Sequence, residues 1–123
     1  MYELKIKSDF AAAHNLREYQ GECESLHGHN FIVEVFIKSE KLNNIGLVID
    51  FKDLKALTKE VLSALDHKHL NEIDYFKKVN PSSENIAKYI FDKLEKKVKS
   101  YDVLLSKVAV YESLNSSATY TKE

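Results

Sequence analysis

His27-Gly28-His29 places two imidazoles two residues apart, and His14 closes an earlier segment of similar character. The run after His29, from Asn30 to Lys38, is rich in β-branched and aromatic side chains that favour extended backbone. Side chains of a strand alternate between faces, so His27 and His29 share a face with Phe31, Val33, Val35 and Ile37. Upstream, Tyr2, Leu4, Ile6, Phe10, Ala12 and His14 fall on one parity, while Glu3, Lys5, Lys7 and Asp9 fall on the other. All three imidazoles are therefore expected on the apolar side. A single buried histidine is ordinarily a hydrogen-bonded core residue, but a His-x-His pair joined by a third core-facing histidine is a chelating set. Three histidines without an evident fourth protein ligand suit a catalytic zinc that keeps a position for water or substrate, since closed structural sites usually recruit four ligands rich in cysteine.

Other reactive groups surround this set in the sequence. Cys23, the chain's one cysteine, precedes His27 in Cys23-Glu24-Ser25-Leu26-His27 and cannot form an internal disulfide. It is either an inert thiol or, beside a cation that lowers its pKa, a thiolate base or nucleophile. In Asp66-His67 a carboxylate can orient an imidazole and raise its basicity, as a proton relay requires. His69 reads as a surface residue. Glu112 ends an apolar strand face, where an unpaired charge costs several kcal/mol. Its partner is either a buried lysine or arginine, or a ligand with two parallel N–H donors such as an aminopyrimidine edge.

The elements that must position these groups follow from periodicity. Strands are expected over about Tyr2 to His14 and His27 to Ser39, joined by a polar loop carrying Gly21 and Cys23. Asp50 is a good N-cap for a helix whose apolar stripe is Phe51, Leu54, Thr58, Val61, Leu62 and Leu65. The stretch from Asp66 to Val79 reads as a loop. Pro81, with Ser82 or Ser83 as cap and Glu84 in the first turn, announces a second helix striped by Ile86, Ala87, Ile90, Phe91, Leu94 and Val98. Alternation from about Val103 puts Leu104, Val108, Val110, Glu112 and Leu114 on one face, and a turn at Asn115 to Ser117 leads to a closing strand over about Ala118 to Thr121. The order β-β-α-α-β-β predicts an α+β domain, residues 1–123, with a four-stranded antiparallel sheet and two helices on one face. Its open edges invite continuation into a neighbouring subunit, so a homo-oligomer is expected.

Composition excludes several classes. With 18 basic and 19 acidic residues, a net charge of -1 and no long block of like charge, nothing in the chain advertises a nucleic-acid surface, and no nucleic-acid partner is expected. No apolar run approaches the ~20 residues that span a bilayer, and the N-terminus enters directly into alternation without a signal-peptide profile. A cytoplasmic protein without membrane partners is the expectation.

Five motifs, Phe10-Ala11-Ala12-Ala13-His14, Cys-x-x-x-His-Gly-His, Leu65-Asp66-His67-x-x-Leu70-Asn71, Pro81-Ser82-Ser83-Glu84-Asn85 and Glu112-Ser113, occur in order. Together they resemble the 6-pyruvoyltetrahydropterin synthase family, nearest to its short bacterial 6-carboxytetrahydropterin synthase branch. The resemblance implies a tunnelling fold (T-fold) whose subunits join into a barrel, commonly a hexamer of two trimers with active sites between subunits. It implies Zn2+ on His14, His27 and His29, Cys23 as the catalytic thiol, Asp66 and His67 as the relay pair, and Glu112 as the anchor of a pterin ring. The implied reaction converts 7,8-dihydroneopterin triphosphate to 6-carboxy-5,6,7,8-tetrahydropterin, releasing acetaldehyde and triphosphate, in queuosine biosynthesis. Glu24 departs from that branch: Glu-x-x-His-Gly-His resembles members that make 6-hydroxymethyl-7,8-dihydropterin for folate. The alternatives are therefore that product, the 6-pyruvoyl product, or a non-catalytic pterin- or purine-binding module.

Overall fold

Alternation builds β1, Tyr2–His14, and β2, His27–Ser39, and the two pair antiparallel from Tyr2 opposite Ser39 to His14 opposite His27. That register sets His29 opposite Ala12, so the three histidines converge at one end of the ladder. The computed structural model describes Met1–Glu123. Phe31, Val33, Val35 and Ile37 are fully buried along β2, each such side chain contributing roughly 1.5–3 kcal/mol by leaving water.

Helix α1, Phe51–Ser63, starts where Asp50 accepts the Lys52 N–H at 2.8 Å, and it buries Leu54, Thr58, Val61 and Leu62. The short helix α2 spans Asp74–Lys78 and buries Phe76. Helix α3, Ser83–Val98, is capped by Ser82, whose hydroxyl accepts the Asn85 N–H at 3.2 Å. Its buried stripe lies against β4, Leu104–Ser113, and β5, Ser116–Tyr120, while α1 packs on β1 and on α3. The core formed between sheet and helices holds 24 buried apolar residues. No helix is long and apolar enough to cross a membrane.

The sheet has five strands rather than four: with β3, Lys68–His69, the order is β3-β1-β2-β4-β5. The added strand pairs parallel with Ala12 and Ala13 inside the stretch expected to be a loop. Two residues carry no alternation signal; this pairing comes from tertiary contact with the edge of β1. Alternation also fails at the start of β4. The register shifts opposite Phe36 and Ile37, leaving Ser106 as an extra residue, so Leu105 is buried and Leu104 faces solvent. Leu114, expected inward, lies exposed in the turn before β5. The β4–β5 hairpin is tighter than expected, with β5 beginning at Ser116.

Candidate active site

The directly opposed His14 and His27, with His29 two residues along, bring three imidazole rings to centroid separations of 4.7, 5.2 and 4.8 Å. His14 is 2% exposed. Its Nδ1 lies 2.6 Å from the Pro81 carbonyl, and His27 Nδ1 lies 2.8 Å from the Ser25 carbonyl. A carbonyl only accepts, so both Nδ1 atoms donate and the Nε2 side of each ring is left for another partner. Burial holds the His14 imidazole below the ordinary histidine range despite the opposing pull of the Pro81 carbonyl; His27 and His29 add to the depression and Glu112 opposes it. The neutral ring is the form a metal requires.

Glu112 enters this cluster from β4, the strand that pairs with β2. It is the extra residue at a second register shift, between Tyr111 and Ser113, a device that re-aims a side chain. Its Oε1 lies 3.0 Å from His29 Nε2 and 3.6 Å from His14 Nε2, and its Oε2 accepts the Ser83 hydroxyl at 3.3 Å. Its partners are imidazoles and a serine, not the lysine or arginine that a purely structural carboxylate would take. The ligand atoms of His14, His27, His29 and Glu112 all lie within 4.8 Å of one another.

Whether these residues fit a metal is decided by their unsatisfied atoms. The Nε2 atoms of His14 and His29 are buried and make no hydrogen bond, the Glu112 oxygen 3.0 Å from His29 Nε2 being a close approach without hydrogen-bond geometry. Each such orphan costs on the order of 1–3 kcal/mol, and one cation between them would satisfy both. Three imidazoles with one carboxylate form a nitrogen-oxygen set suited to a borderline ion such as zinc. The contacts of His14 and His27 from Nδ1 to backbone carbonyls are of the kind that orients imidazoles toward a metal.

The Asp66-His67 pair stands beside the same strand end. Asp66 Oδ1 accepts the Ala11 N–H at 2.9 Å, His67 N–H donates to the Ala11 carbonyl at 2.6 Å, and Asp66 Oδ2 lies 3.1 Å from His67 Nδ1. The Ala11 N–H holds the Asp66 carboxyl below the usual carboxylate range, with His67 adding to the effect. His67 has a left-handed φ of 59°, an uncommon conformation for a residue with a Cβ, and its side chain is 82% exposed. It lines a depression of about 560 Å³ together with Gly28, His29, Asn30 and His69.

Cys23 is exposed on the loop between β1 and β2 and lies outside the four-residue cluster. Glu24 is tied into the base of that loop. Its N–H donates to the Leu16 carbonyl at 2.8 Å, its Oε1 accepts the Leu16 N–H at 3.2 Å, and that oxygen lies 3.9 Å from His27 Nδ1. Two features escape sequence reasoning. Glu112 meets imidazoles and a serine instead of a lysine or arginine, partners on other elements that no spacing rule names. His69 is half-buried, with a buried Nε2 that lacks a hydrogen-bond partner, because β3 draws it onto the sheet edge.

The profile of a family described as 6-pyruvoyl tetrahydropterin synthase matches residues 3–123. A 6-carboxy-5,6,7,8-tetrahydropterin synthase of Synechocystis sp. is 40% identical over 125 residues, spanning 98% of this chain and 93% of the relative. A dihydroneopterin monophosphate aldolase of Pyrococcus furiosus is 37% identical over 106 residues, spanning 86% of this chain and 85% of the relative. Among solved structures, the Caenorhabditis elegans 6-pyruvoyl tetrahydropterin synthase superposes with a TM-score of 0.86 at 28% identity, over 99% of this chain and 96% of that one.

Proposed function

The chain belongs to the 6-pyruvoyl tetrahydropterin synthase family, and on that premise we propose that it is a zinc-dependent lyase. Its substrates are 7,8-dihydroneopterin triphosphate and one water, and its products are 6-carboxy-5,6,7,8-tetrahydropterin, acetaldehyde and triphosphate, as queuosine biosynthesis requires. The observation that carries this reading is the convergence of three imidazoles, two with orphaned Nε2 atoms, at the strand end that also bears Asp66 and His67. The likeness to the Synechocystis enzyme supports the carboxy product.

His14, His27 and His29 hold the zinc. Bound there, zinc supplies Lewis acidity toward the substrate's side-chain oxygens. Cys23, as thiolate, takes a proton from the substrate side chain. His67, its ring oriented by Asp66, moves a second proton, and the exposed position of that ring leaves it free to meet a ligand. Glu112 accepts the N–H donors of the pterin edge while Ser83 holds its other oxygen. The edges of the sheet, β3 and β5, leave backbone groups unpaired, in keeping with subunits that continue the sheet into a barrel, a homohexamer of two trimers with sites between subunits.

A second reading rests on Glu24, whose carboxylate lies 3.9 Å from His27 Nδ1 in a chain similar to an archaeal aldolase. A base at that position would favour carbon-carbon cleavage to 6-hydroxymethyl-7,8-dihydropterin. Incubation with dihydroneopterin triphosphate followed by mass identification separates the two. Acetaldehyde with the carboxy product is expected; the hydroxymethyl product with no acetaldehyde would reject the first reading.

Glu112→Gln tests the anchor role. It removes the charge that strengthens hydrogen bonds from the pterin, so KM is expected to rise roughly 10- to 100-fold while zinc is retained. Loss of zinc in this variant would make Glu112 a ligand instead.

A further inference from the structure

Three backbone residues, Asn15 to Arg17, link His14 to the loop that carries Cys23, and no strand pairs with them. Two asparagine side chains take the place of one. The Asn15 N–H donates to Asn71 Oδ1 at 3.0 Å, and Asn71 Nδ2 donates to the Asn15 carbonyl at 2.8 Å. Two residues on, the Arg17 N–H donates to Asn80 Oδ1 at 2.8 Å, and Asn80 Nδ2 donates to the Arg17 carbonyl at 3.0 Å. A primary amide offers one acceptor and a donor side by side, the same pair that a neighbouring strand presents to alternate residues. The Arg17 guanidinium adds a third attachment, donating to the carbonyls of Phe76 and Val79 at 2.6 and 2.9 Å.

What makes this clamp informative is where its two jaws originate. Asn71 lies in the 3₁₀ turn, Leu70–Glu72, that follows Asp66, His67 and β3. Asn80 immediately precedes Pro81, whose carbonyl fixes the His14 ring, and the Asn80 carbonyl is itself held by Asn85 Nδ2 at 2.9 Å, at the start of α3. One short segment is thus gripped by the passage bearing the relay pair and by the passage orienting a metal ligand. The base of the loop is closed on the same segment, through the two Leu16–Glu24 hydrogen bonds.

We infer that Asn71 and Asn80 are positioning residues that set the placement of the Cys23 loop relative to the histidine cluster and the Asp66-His67 pair. This assignment rests on the proposed lyase reading. Neither asparagine need touch substrate, so its contribution lies in alignment, where a displacement of about 1 Å can cost on the order of 10²-fold in rate.

The test compares Asn71→Ala and Asn80→Ala with Asn71→Asp and Asn80→Asp in the full chain loaded with zinc. The alanine variants should lose about 10²-fold in kcat with dihydroneopterin triphosphate while KM stays within about twofold and zinc content is unchanged. The aspartate variants keep the oxygen that accepts the backbone N–H but turn a second accepting oxygen toward the Asn15 or Arg17 carbonyl, so they lose half of each clamp and kcat should fall in them as well. Independently of turnover, hydrogen exchange at the Leu16 and Glu24 amides should quicken about tenfold or more in the alanine variants, with α1 and α3 unaffected. Wild-type kcat, or unchanged exchange at Leu16 and Glu24, in a folded variant would overturn the inference. Should an alanine variant fail to fold, the isosteric aspartate variants decide by the same criteria, with reduced kcat at retained KM supporting the clamp and wild-type kcat overturning it. If the wild-type chain gives no turnover of dihydroneopterin triphosphate, the proposed function fails, and the exchange measurement still judges the clamp.

Discussion

Zinc is expected to be lost, and turnover with it, when either His14 or His29 is replaced by alanine. Even substitutions that only orient a ligand weaken metal sites by roughly 10- to 100-fold, so removing one of three imidazoles should exceed that range. Activity should fall below about a hundredth of wild type for the same reason. The two variants answer different objections. His14 is buried, and His14→Ala both opens a cavity and leaves the Pro81 carbonyl without its donor, so part of its effect would come through stability. His29 has a side chain 25% exposed, and its removal should leave the fold intact while still dismantling the site. Metal analysis after dialysis, with melting curves of both variants, separates these contributions. Full zinc occupancy in folded His29→Ala would exclude it as a ligand and with it the three-histidine centre. Protons compete with metal for imidazole nitrogens, and burial keeps His14 neutral when the unfolded chain would protonate it. That term stabilises the metal-free fold above the ordinary histidine pKa of about 6.5 and is lost as pH falls through the lower folded value.

The convergence of the histidines was legible because it needs only period-two alternation. His14 opposite His27 follows from two strands of matched polarity, and Phe31 to Ile37 fix which face turns inward. The helix starts were legible for a comparable reason: Asp50 and Ser82 act within three residues of themselves, so their chemistry is local. Where position depends on contacts distant in sequence, local pattern carries no signal. Lys68 and His69 become a strand only because Asp66 and His67 are fastened to Ala11, which lays the following residues along the edge of β1. Leu104 and Leu105 exchange faces because one residue is inserted against β2, a change that alternation cannot foresee. Glu112 is the instructive case. Its parity correctly predicted an inward carboxylate, yet its neighbours, His14, His29 and Ser83, come from two other strands and a helix start.

The thiol is expected to matter to turnover but not to binding. Cys23→Ala should retain zinc and pterin affinity and lose about 10²- to 10⁴-fold in kcat, the range for removing a positioned general base. The expectation follows from placement: Cys23 is exposed, outside the imidazole cluster, on a loop whose base is fastened beside His14. Removing its sulfur leaves no buried group unpaired, so the fold should be indifferent. Glu24 sets the contrast. Its carboxylate already accepts the Leu16 N–H, and its own N–H returns to the Leu16 carbonyl. A carboxylate committed in this way closes a loop, and Glu24→Gln, which keeps an accepting oxygen, should preserve most of the activity if closure is its whole task. If instead Cys23→Ala continues to cleave the substrate and Glu24→Gln stops it, the proton is taken by the carboxylate, and the assignment of the thiol as base falls. Product analysis of Cys23→Ala sharpens the comparison, since residual 6-hydroxymethyl-7,8-dihydropterin from that variant would identify Glu24 as a second base in the same loop.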